Sequence, residues 1–320
     1  MRYRPLGRTG LMVSEIGFGA WGIGGVTPGA TSYGATDDGV SLAALRRAVD
    51  LGVTFYDTSN VYGDGHSEEL IGRAFAGMRD RVVLATKAGR RDYATDSCSP
   101  ADLRASLEGS LKRFGTDYVD LLQLHADTIG PEGYGVAMDT FRRLKAEGKV
   151  RACGISAKSP EQAVSAIRDF GAEVVQVNFN LVDQRAVDSG LLGVAAEAGV
   201  GVIARTPLCF GMLSGKLSAA VEFPPGDHRA AWSREQIARW IEASRMFVDG
   251  IAESAAVTGA QVALRFCLSQ PEISTVIPGM MAPAEVEENV RASDAGPLAA
   301  ADLARIGEIY RGNEFFVRRR

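Results

Sequence analysis

The sequence VTFYDTSNVYGDGHSEELIGRAFAGMRDRVVLATK, residues 53–87, runs in the order strand, loop, helix, strand. Its first β-prone run ends at Asp57, the Gly- and Ser-rich loop that follows carries Tyr62, and the second apolar run ends at Lys87. In a parallel α/β protein, the carboxyl ends of the strands meet at one edge of the sheet. We therefore expect these three side chains to lie close together.

Carboxylate, phenol and ammonium form a chemically useful set. An ammonium beside a phenol stabilises the phenolate and lowers the pKa of the phenol, and a carboxylate fixes the ammonium. A phenol tuned in this way is a general acid that can protonate a developing alkoxide. The alternative interpretation is a surface tyrosine beside an ordinary strand-end ion pair, and this segment alone leaves both open.

The alternation of strand and helix continues along the chain. Apolar runs typical of buried parallel strands lie at 14–19, 53–57, 82–87, 118–124, 150–155, 174–177, 200–204 and 273–277. Helical patterns lie at 38–51, 67–76, 100–114, 136–147, 160–170, 184–198, 234–256, 259–269, 283–293 and 298–311. Eight β–α units without a linker predict an α/β fold, a closed (β/α)8 TIM barrel rather than an open doubly wound sheet, as a single domain over residues 1–320.

Three further segments extend the predicted barrel. Residues 2–15 have the pattern of a β-hairpin, with Gly7 and Gly10 at its turn. Residues 206–232 form a long irregular loop after the seventh strand, and the last helix leads into a C-terminal tail. The N-terminal hairpin, this loop and the C-terminal helix are the additions we expect to the eight units.

Polar residues stand at the carboxyl ends of successive predicted strands. A barrel needs no such ring for its stability, so the pattern indicates a functional site at this edge. The ring consists of Asp57, Lys87, His125, Ser156, Gln176 with Asn178, and Arg205.

Composition narrows the class of protein. The chain has 320 residues, 46% hydrophobic and 23% charged, with a net charge of −4, which argues against a nucleic-acid partner. We find no signal peptide and no apolar stretch of transmembrane length, so we expect no membrane association. Its four scattered cysteines predict reduced thiols and a cytoplasmic location. The three histidines and these cysteines lack metal-ligand spacing, so we expect no metal.

Gly17, Gly19 and Gly22 formally match the dinucleotide fingerprint G-x-G-x-x-G. That fingerprint should open a helix, whereas the first helical pattern here begins only near Asp38. We instead expect these glycines to let the backbone approach a bound molecule, with Trp21 as one wall of its site.

Several separated motifs, in order, resemble the aldo-keto reductase family. The first is GVTFYDTSNVYGDGHSEELIG at residues 52–72, which is very similar to a signature of that family. The others are VVLATK (82–87), DYVDLLQLHAD (117–127), GKVRACGIS (148–156), VVQVNFNL (174–181), PLCFGMLSGK (207–216) and VIPGMMAPAEVEENV (276–290). Together they cover nearly the whole chain, which makes the resemblance specific.

The resemblance implies a barrel that reduces carbonyl compounds with a nicotinamide nucleotide. Tyr62 matches the general acid, Lys87 and Asp57 the residues that tune it, and His125 the residue that orients the substrate carbonyl. Trp21, Tyr93 and Trp232 are further expected substrate contacts. The implied partner is a small-molecule aldehyde or ketone. The polar loops suit sugars or other hydroxylated carbonyls, and the apolar Trp21, Tyr93, Phe210 and Trp232 equally suit an aromatic pocket. The oligomeric state is not indicated.

The resemblance also implies which residues hold the cofactor. Ser156 and Gln176 match positions that bind the nicotinamide carboxamide, and Arg205 stands where many members stack an aromatic ring on the nicotinamide. The full expected set is Gly19, Trp21, Asp57, Ser156, Gln176, Arg205, Leu208, Gly211, Leu213, Lys216, Gly279, Met281, Glu285, Glu288 and Asn289. Glycines and a lysine in GMLSGK suit a pyrophosphate.

The expected cofactor is NADP(H), with NAD(H) as the alternative. Members of the family often carry Arg or Lys near position 281, where it grips the 2′-phosphate of NADPH, and this chain has Met281. Glu285 replaces a frequent glutamine, and a carboxylate suits a free ribose diol better than a phosphate. Two other functions stay open: a non-enzymatic nucleotide-sensing subunit, and a barrel isomerase or lyase without nicotinamide.

Overall fold

The computed structural model describes residues 1–27, 29, 31–92, 94–126, 128–251 and 257–317. An antiparallel hairpin joins β1 (Tyr3–Pro5) to β2 (Met12–Ser14). Eight parallel strands then form one sheet in the described part of the chain. They are β3 (Phe18–Gly19), β4 (Phe55–Asp57), β5 (Val83–Ala88), β6 (Val119–Leu124), β7 (Val150–Ser156), β8 (Val174–Asn178), β9 (Gly201–Arg205) and β10 (Ile273–Ile277).

The sheet runs in sequence order from β3 to β10 and closes on itself. Parallel bridges pair Ile16 with Val276 and Gly19 with Gly279, so the first strand meets the last. Helices cover the outside of the barrel, as expected where each parallel strand is followed by a helix. They are α1 (Asp38–Asp50), α2 (His66–Ala74), α3 (Pro100–Phe114), α4 (Pro131–Ala146), α5 (Pro160–Arg168), α6 (Arg185–Asp188), α7 (Leu191–Ala198), α8 (Arg234–Asp249), α9 (Gly259–Leu268), α10 (Pro283–Ala295) and α11 (Ala300–Gly312). The predicted (β/α)8 fold is confirmed.

Local sequence signals explain where many of these helices begin. The Ser99 side chain accepts from the backbone N–H of Asp102, and Pro100 occupies the first helical position of α3. Helix α9 begins with a capping box, in which Thr258 and Gln261 each accept from the other's backbone N–H. These pairings satisfy donors that the first turn of a helix leaves open.

Three helix boundaries differ from the sequence-based expectation. Helix α4 begins at Pro131 rather than at residue 136, because Pro131 and the buried Tyr134 already belong to its first turns. The helix expected at 184–198 is broken into α6 and α7 at Gly190, whose φ of +75° is the left-handed conformation that ends a helix. The helix expected at 234–256 ends at Asp249, and residues 252–256 lie outside the described residues.

The hairpin closes the amino-terminal end of the barrel. Its side chains Leu6, Leu11 and Val13 pack against the inward-facing residues of the strands, among them Phe55 and Ile203. This apolar plug leaves the carboxyl ends of the strands as the open face of the barrel. None of the helices in the described ranges is both long and apolar enough to span a membrane.

Candidate active site

Lys87, on β5, uses all three of its N–H donors at the open end of the barrel. Its Nζ lies 2.5 Å from Asp57 Oδ1, 2.8 Å from the carbonyl oxygen of Thr58 and 3.3 Å from the hydroxyl oxygen of Tyr62. A lysine ammonium can only donate, so the phenol oxygen is the acceptor in the last contact. The proton of Tyr62 is therefore left to donate to another partner.

Lys87 and Asp57 form a buried ion pair. Only 1% of the surface of Lys87 and 3% of the surface of Asp57 is exposed. Burial alone would lower the pKa of Lys87, but the charge of Asp57 and the contacts with Asp57 and Tyr62 raise it above its ordinary value. Lys87 therefore remains a cation, and its positive charge stays beside the phenol oxygen.

Two glutamines hold the other oxygen of Asp57. Gln123 Nε2 lies 2.9 Å and Gln176 Nε2 lies 2.7 Å from Asp57 Oδ2, and Gln176 Nε2 is also 3.2 Å from Gln123 Oε1. A carboxylate only accepts, so both amides must turn their N–H groups toward it. Side chains from β4, β5, β6 and β8 thus fix the orientation of the carboxylate.

His125 directly follows β6 and faces the same space as Tyr62. The two ring centroids are 6.2 Å apart, and His125 Nδ1 lies 3.3 Å from Ser59 Oγ. Desolvation holds the pKa of His125 well below its ordinary value, and the charges of Lys87, Arg90 and other cations lower it further. The imidazole is therefore neutral at neutral pH. In the tautomer with its proton on Nε2, Ser59 donates to Nδ1 and the Nε2–H can donate to a ligand.

The loop that carries Tyr62 is fixed by backbone geometry. Gly63 has a φ of +61°, and a Cβ there would lie only 1.9 Å from the carbonyl oxygen of Gly24. Ser67 accepts from Thr58 Oγ1 and donates to the carbonyl oxygen of Ala20, which ties this loop to the end of β3. The backbone of this loop therefore requires Gly63, and the chemistry of the site requires the neighbouring Tyr62.

One cleft of about 540 Å³ opens over this group of residues. The residues expected at the site that line it are Gly19, Trp21, Asp57, Tyr62, His125, Gln176, Arg205, Leu208, Gly211, Lys216, Gly279, Met281, Glu285, Glu288 and Asn289. The cleft thus extends from the carboxyl ends of the strands along segments 208–217 and 279–289, as an extended ligand would require.

Four expected residues do not line the cleft, and a fifth falls outside the described chain. Lys87 lies beneath it, and Ser156 Oγ lies behind Gln176, 3.4 Å from its Oε1. Leu213 is fully buried in the apolar core. Trp232 packs on Phe210, at 4.7 Å between ring centroids, and so acts through its neighbour. Tyr93 lies outside the described residues.

Sequence reasoning missed several residues that line or support the cleft. Tyr33, Arg90 and Arg229 line it, and the Arg229 guanidinium lies 4.8 Å from the centre of the Tyr33 ring. These residues belong to loops far apart in the chain, so they have no local sequence signal. Gln123 does have a local sequence signal, because a glutamine inside the apolar run VDLLQL is an inward-facing polar residue that needs a partner.

The donor set of the cleft fits a nicotinamide nucleotide. With Gln176 Nε2 engaged by Asp57, its Oε1, which also accepts from the Ser156 hydroxyl at 3.4 Å, can accept from the N–H group of a carboxamide. Arg205, at the end of β9, donates from Nη2 to the carbonyl oxygen of Ala157 at 2.7 Å. At Gly279 the wall is open, since an added Cβ would meet no atom within 4 Å. Among the described residues, no cluster of three or more His, Cys, Asp or Glu could hold a metal ion.

Comparison with known proteins agrees with the fold and identifies the family. The family model described as "Aldo/keto reductase family" matches residues 15–311. The chain is 31% identical to the aldo-keto reductase YhdN of Bacillus subtilis (strain 168), over 90% of this chain and 87% of that protein. It is 28% identical to the NADH-specific methylglyoxal reductase of Escherichia coli (strain K12), over 97% and 98%. The glycerol dehydrogenase AKR11B4 from Gluconobacter oxydans superposes with a TM-score of 0.82 at 26% identity, covering 99% of this chain and 97% of that one. The chain belongs to the aldo-keto reductase family of oxidoreductases.

Proposed function

We propose that this protein reduces an aldehyde or ketone to the alcohol with NAD(P)H, or catalyses the reverse reaction, with Tyr62 as the general acid. The observation that carries the proposal is the direction of the Lys87–Tyr62 contact. Because the ammonium donates to the phenol oxygen at 3.3 Å, the phenol proton is available to a ligand in the cleft.

The proton and hydride steps divide between the chain and its cofactor. When bound, the reduced nicotinamide supplies a hydride to the carbonyl carbon, which leaves a negative charge on the carbonyl oxygen. Tyr62 transfers its O–H proton to that oxygen, and the buried Lys87 cation stabilises the phenolate that results. Solvent then returns a proton to Tyr62, so the products are an alcohol and the oxidised nucleotide.

His125 orients the substrate in this proposal. A neutral imidazole with Nε2–H donates to the carbonyl oxygen without competing with Tyr62 for the proton. Its depressed pKa supports this role, because an imidazolium would be a second and stronger acid at the same oxygen. We assign Ser59 as the positioning residue: its Oγ lies 3.3 Å from His125 Nδ1 and 3.2 Å from Asn60 Oδ1, and donation to Nδ1 leaves the imidazole proton on Nε2.

The cofactor would lie along the cleft from the strand ends outward. Gln176 would bind the carboxamide, the Arg205 guanidinium would stack on the ring, and the backbone N–H groups of segment 208–217 would hold the pyrophosphate. The substrate would enter beside Trp21, whose ring centroid is 6.2 Å from that of Tyr62. Apolar rings next to arginines favour a small carbonyl compound with polar substituents.

The test is turnover of a panel of aldehydes and ketones by the purified protein with NADH and with NADPH. Oxidation of nucleotide that depends on the carbonyl compound, with an equal yield of alcohol, is the expected result. Nucleotide binding without turnover of any carbonyl, by a protein whose fold is intact, would favour the alternative of a nucleotide-sensing subunit. A protein that binds neither nucleotide would contradict both.

A further inference from the structure

We infer that the cleft excludes the 2′-phosphate of NADPH, so that the protein is specific for NAD(H). This inference rests on the proposed function and adds the identity of the cofactor. The nicotinamide must reach Tyr62 and His125, so the rest of the dinucleotide lies along the remaining walls of the same cleft, at 208–217 and 279–289. The charges on those walls decide between a ribose diol and a ribose phosphate.

A carboxylate of the chain itself occupies a backbone donor on these walls. Helix α10 begins at Pro283, which has no N–H group, and the N–H groups of Glu285 and Val286 donate to the carbonyl oxygen of Ala282. Glu285 lies in its first turn, and its Oε2 accepts from the backbone N–H of Met281 at 2.7 Å. A phosphate placed there would lose the Met281 donor and meet the charge of Glu285.

The lysine on these walls is also paired. Lys216 Nζ lies 2.5 Å from Glu288 Oε2, and the Glu288 side chain is only 16% exposed. A 2′-phosphate would have to break this pair and leave Glu288 without its cation. Among the described charged residues of segments 208–217 and 279–289 that line the cleft, Lys216 is thus balanced by Glu288, and Glu285 leaves a net negative charge. Arg229, whose Nη1 reaches the carbonyl oxygen of Phe210 at 3.5 Å, is paired with Asp227.

Hydroxyl groups suit this environment where phosphate does not. A ribose diol donates hydrogen bonds to carboxylates, whereas a 2′-phosphate brings close to two further negative charges. The side chain of Met281 has no hydrogen-bond donor. Arg291, on helix α10, is exposed and does not line the cleft. The cleft therefore accepts the diol through Glu285 or Glu288 and repels the phosphate.

The test is the dissociation constant of NADH and of NADPH, measured by calorimetric titration without substrate. We expect the wild type to bind NADH at least about tenfold more tightly than NADPH, which corresponds to about 1.4 kcal/mol. Glu288→Gln releases Lys216 and removes one negative charge. It should therefore tighten NADPH binding severalfold and bring the dissociation constants of NADPH and NADH closer together. Glu285→Gln keeps an acceptor for the Met281 N–H and should act in the same direction.

The control is Glu287→Gln on the same helix. Glu287 pairs with Arg47 and does not line the cleft. This variant therefore loses the same charge as the other two without changing a residue of the cleft wall. We expect the ratio of the two constants to stay within about twofold of the wild type. Binding of NADPH as tight as NADH by the wild type, or equal shifts in all three variants, would overturn the inference while leaving the reductase intact. Binding of neither nucleotide would instead overturn the proposed function.

Discussion

Gln123 Nε2 lies 2.9 Å from Asp57 Oδ2, on the oxygen of the carboxylate that Lys87 does not contact. Gln123 is fully buried, so its amide has no water to replace this bond. The carboxylate is therefore clamped from two sides, by a cation on Oδ1 and by amides on Oδ2. Gln123 touches neither the cleft nor Tyr62, and it acts on the site through Asp57.

Replacing Gln123 with leucine should weaken catalysis through this clamp. With only Gln176 left on Oδ2, Asp57 can rotate and the Lys87 ammonium can move from the phenol oxygen. We expect kcat to fall about tenfold with little change in KM, since the interaction matters most when charge develops on Tyr62. Gln236→Leu is the matched control, because Gln236 is also buried but bonds to the tail at Phe315. Equal losses of kcat in both variants would mean that Gln123 is only structural.

Lys87→Met should cost much more stability than the loss of a surface lysine. The substitution leaves Asp57 charged and buried without its cation, which costs about 3–5 kcal/mol. Lys149→Met is the comparison, because Lys149 pairs with Glu108 at the surface, where solvent screening leaves such a pair little effect on stability. Urea unfolding of both variants measures the difference. Similar midpoints would show that the buried pair is not strongly coupled to folding.

Ser59→Ala should change how His125 orients a substrate. Without the hydroxyl at Nδ1, the imidazole is no longer held in the tautomer that carries its proton on Nε2. We expect kcat/KM for a carbonyl substrate to fall about tenfold while the affinity for nucleotide is unchanged. Ser59→Thr keeps the hydroxyl and should recover most of the loss. If Ser59→Ala turns over carbonyls at the wild-type rate, Ser59 has no part in positioning His125.

The depressed pKa of His125 predicts a loss of stability in mild acid. Below its ordinary pKa near 6.5, the imidazole takes a proton in the unfolded chain but not in the folded one. The unfolded state then binds more protons, so the free energy of unfolding falls as the pH drops below about 6.5. His125→Asn should reduce the change in this free energy between about pH 7.5 and about pH 5.5 by about 1 kcal/mol. Burial also lowers the pKa of His228, so some pH dependence should remain. An undiminished slope in the variant would contradict a neutral His125.

The barrel and the ring of strand-end residues followed from the sequence because both depend on local patterns. Six of the eight apolar runs end in a polar residue or are followed directly by one, and parallel strands bring those ends to one edge. Asp57, Lys87 and Gln176 come together in this way even though they are far apart in the chain. The resemblance of separate motifs supplied the roles that periodicity cannot assign.

The remaining features depend on contacts between distant loops. A bridge between Ser32 and Asp227 brings together two segments almost 200 residues apart, and it places Tyr33 against Arg229 at the cleft. The Lys216–Glu288 pair likewise joins two walls that no local pattern connects. Trp232, a predicted substrate contact, does not line the cleft itself and packs on Phe210, which does, so its contact with substrate stays a prediction.

Tyr62→Phe tests the central claim most directly. The phenylalanine keeps the ring beside Trp21 and His125 but has no proton to give and no oxygen to accept from Lys87. The measurement is a single turnover of enzyme saturated with reduced nucleotide, mixed with a carbonyl compound that the wild type reduces. We predict that the variant binds the nucleotide as the wild type does and reduces the carbonyl at least about a hundredfold more slowly. Reduction by the variant at the wild-type rate would contradict Tyr62 as the general acid.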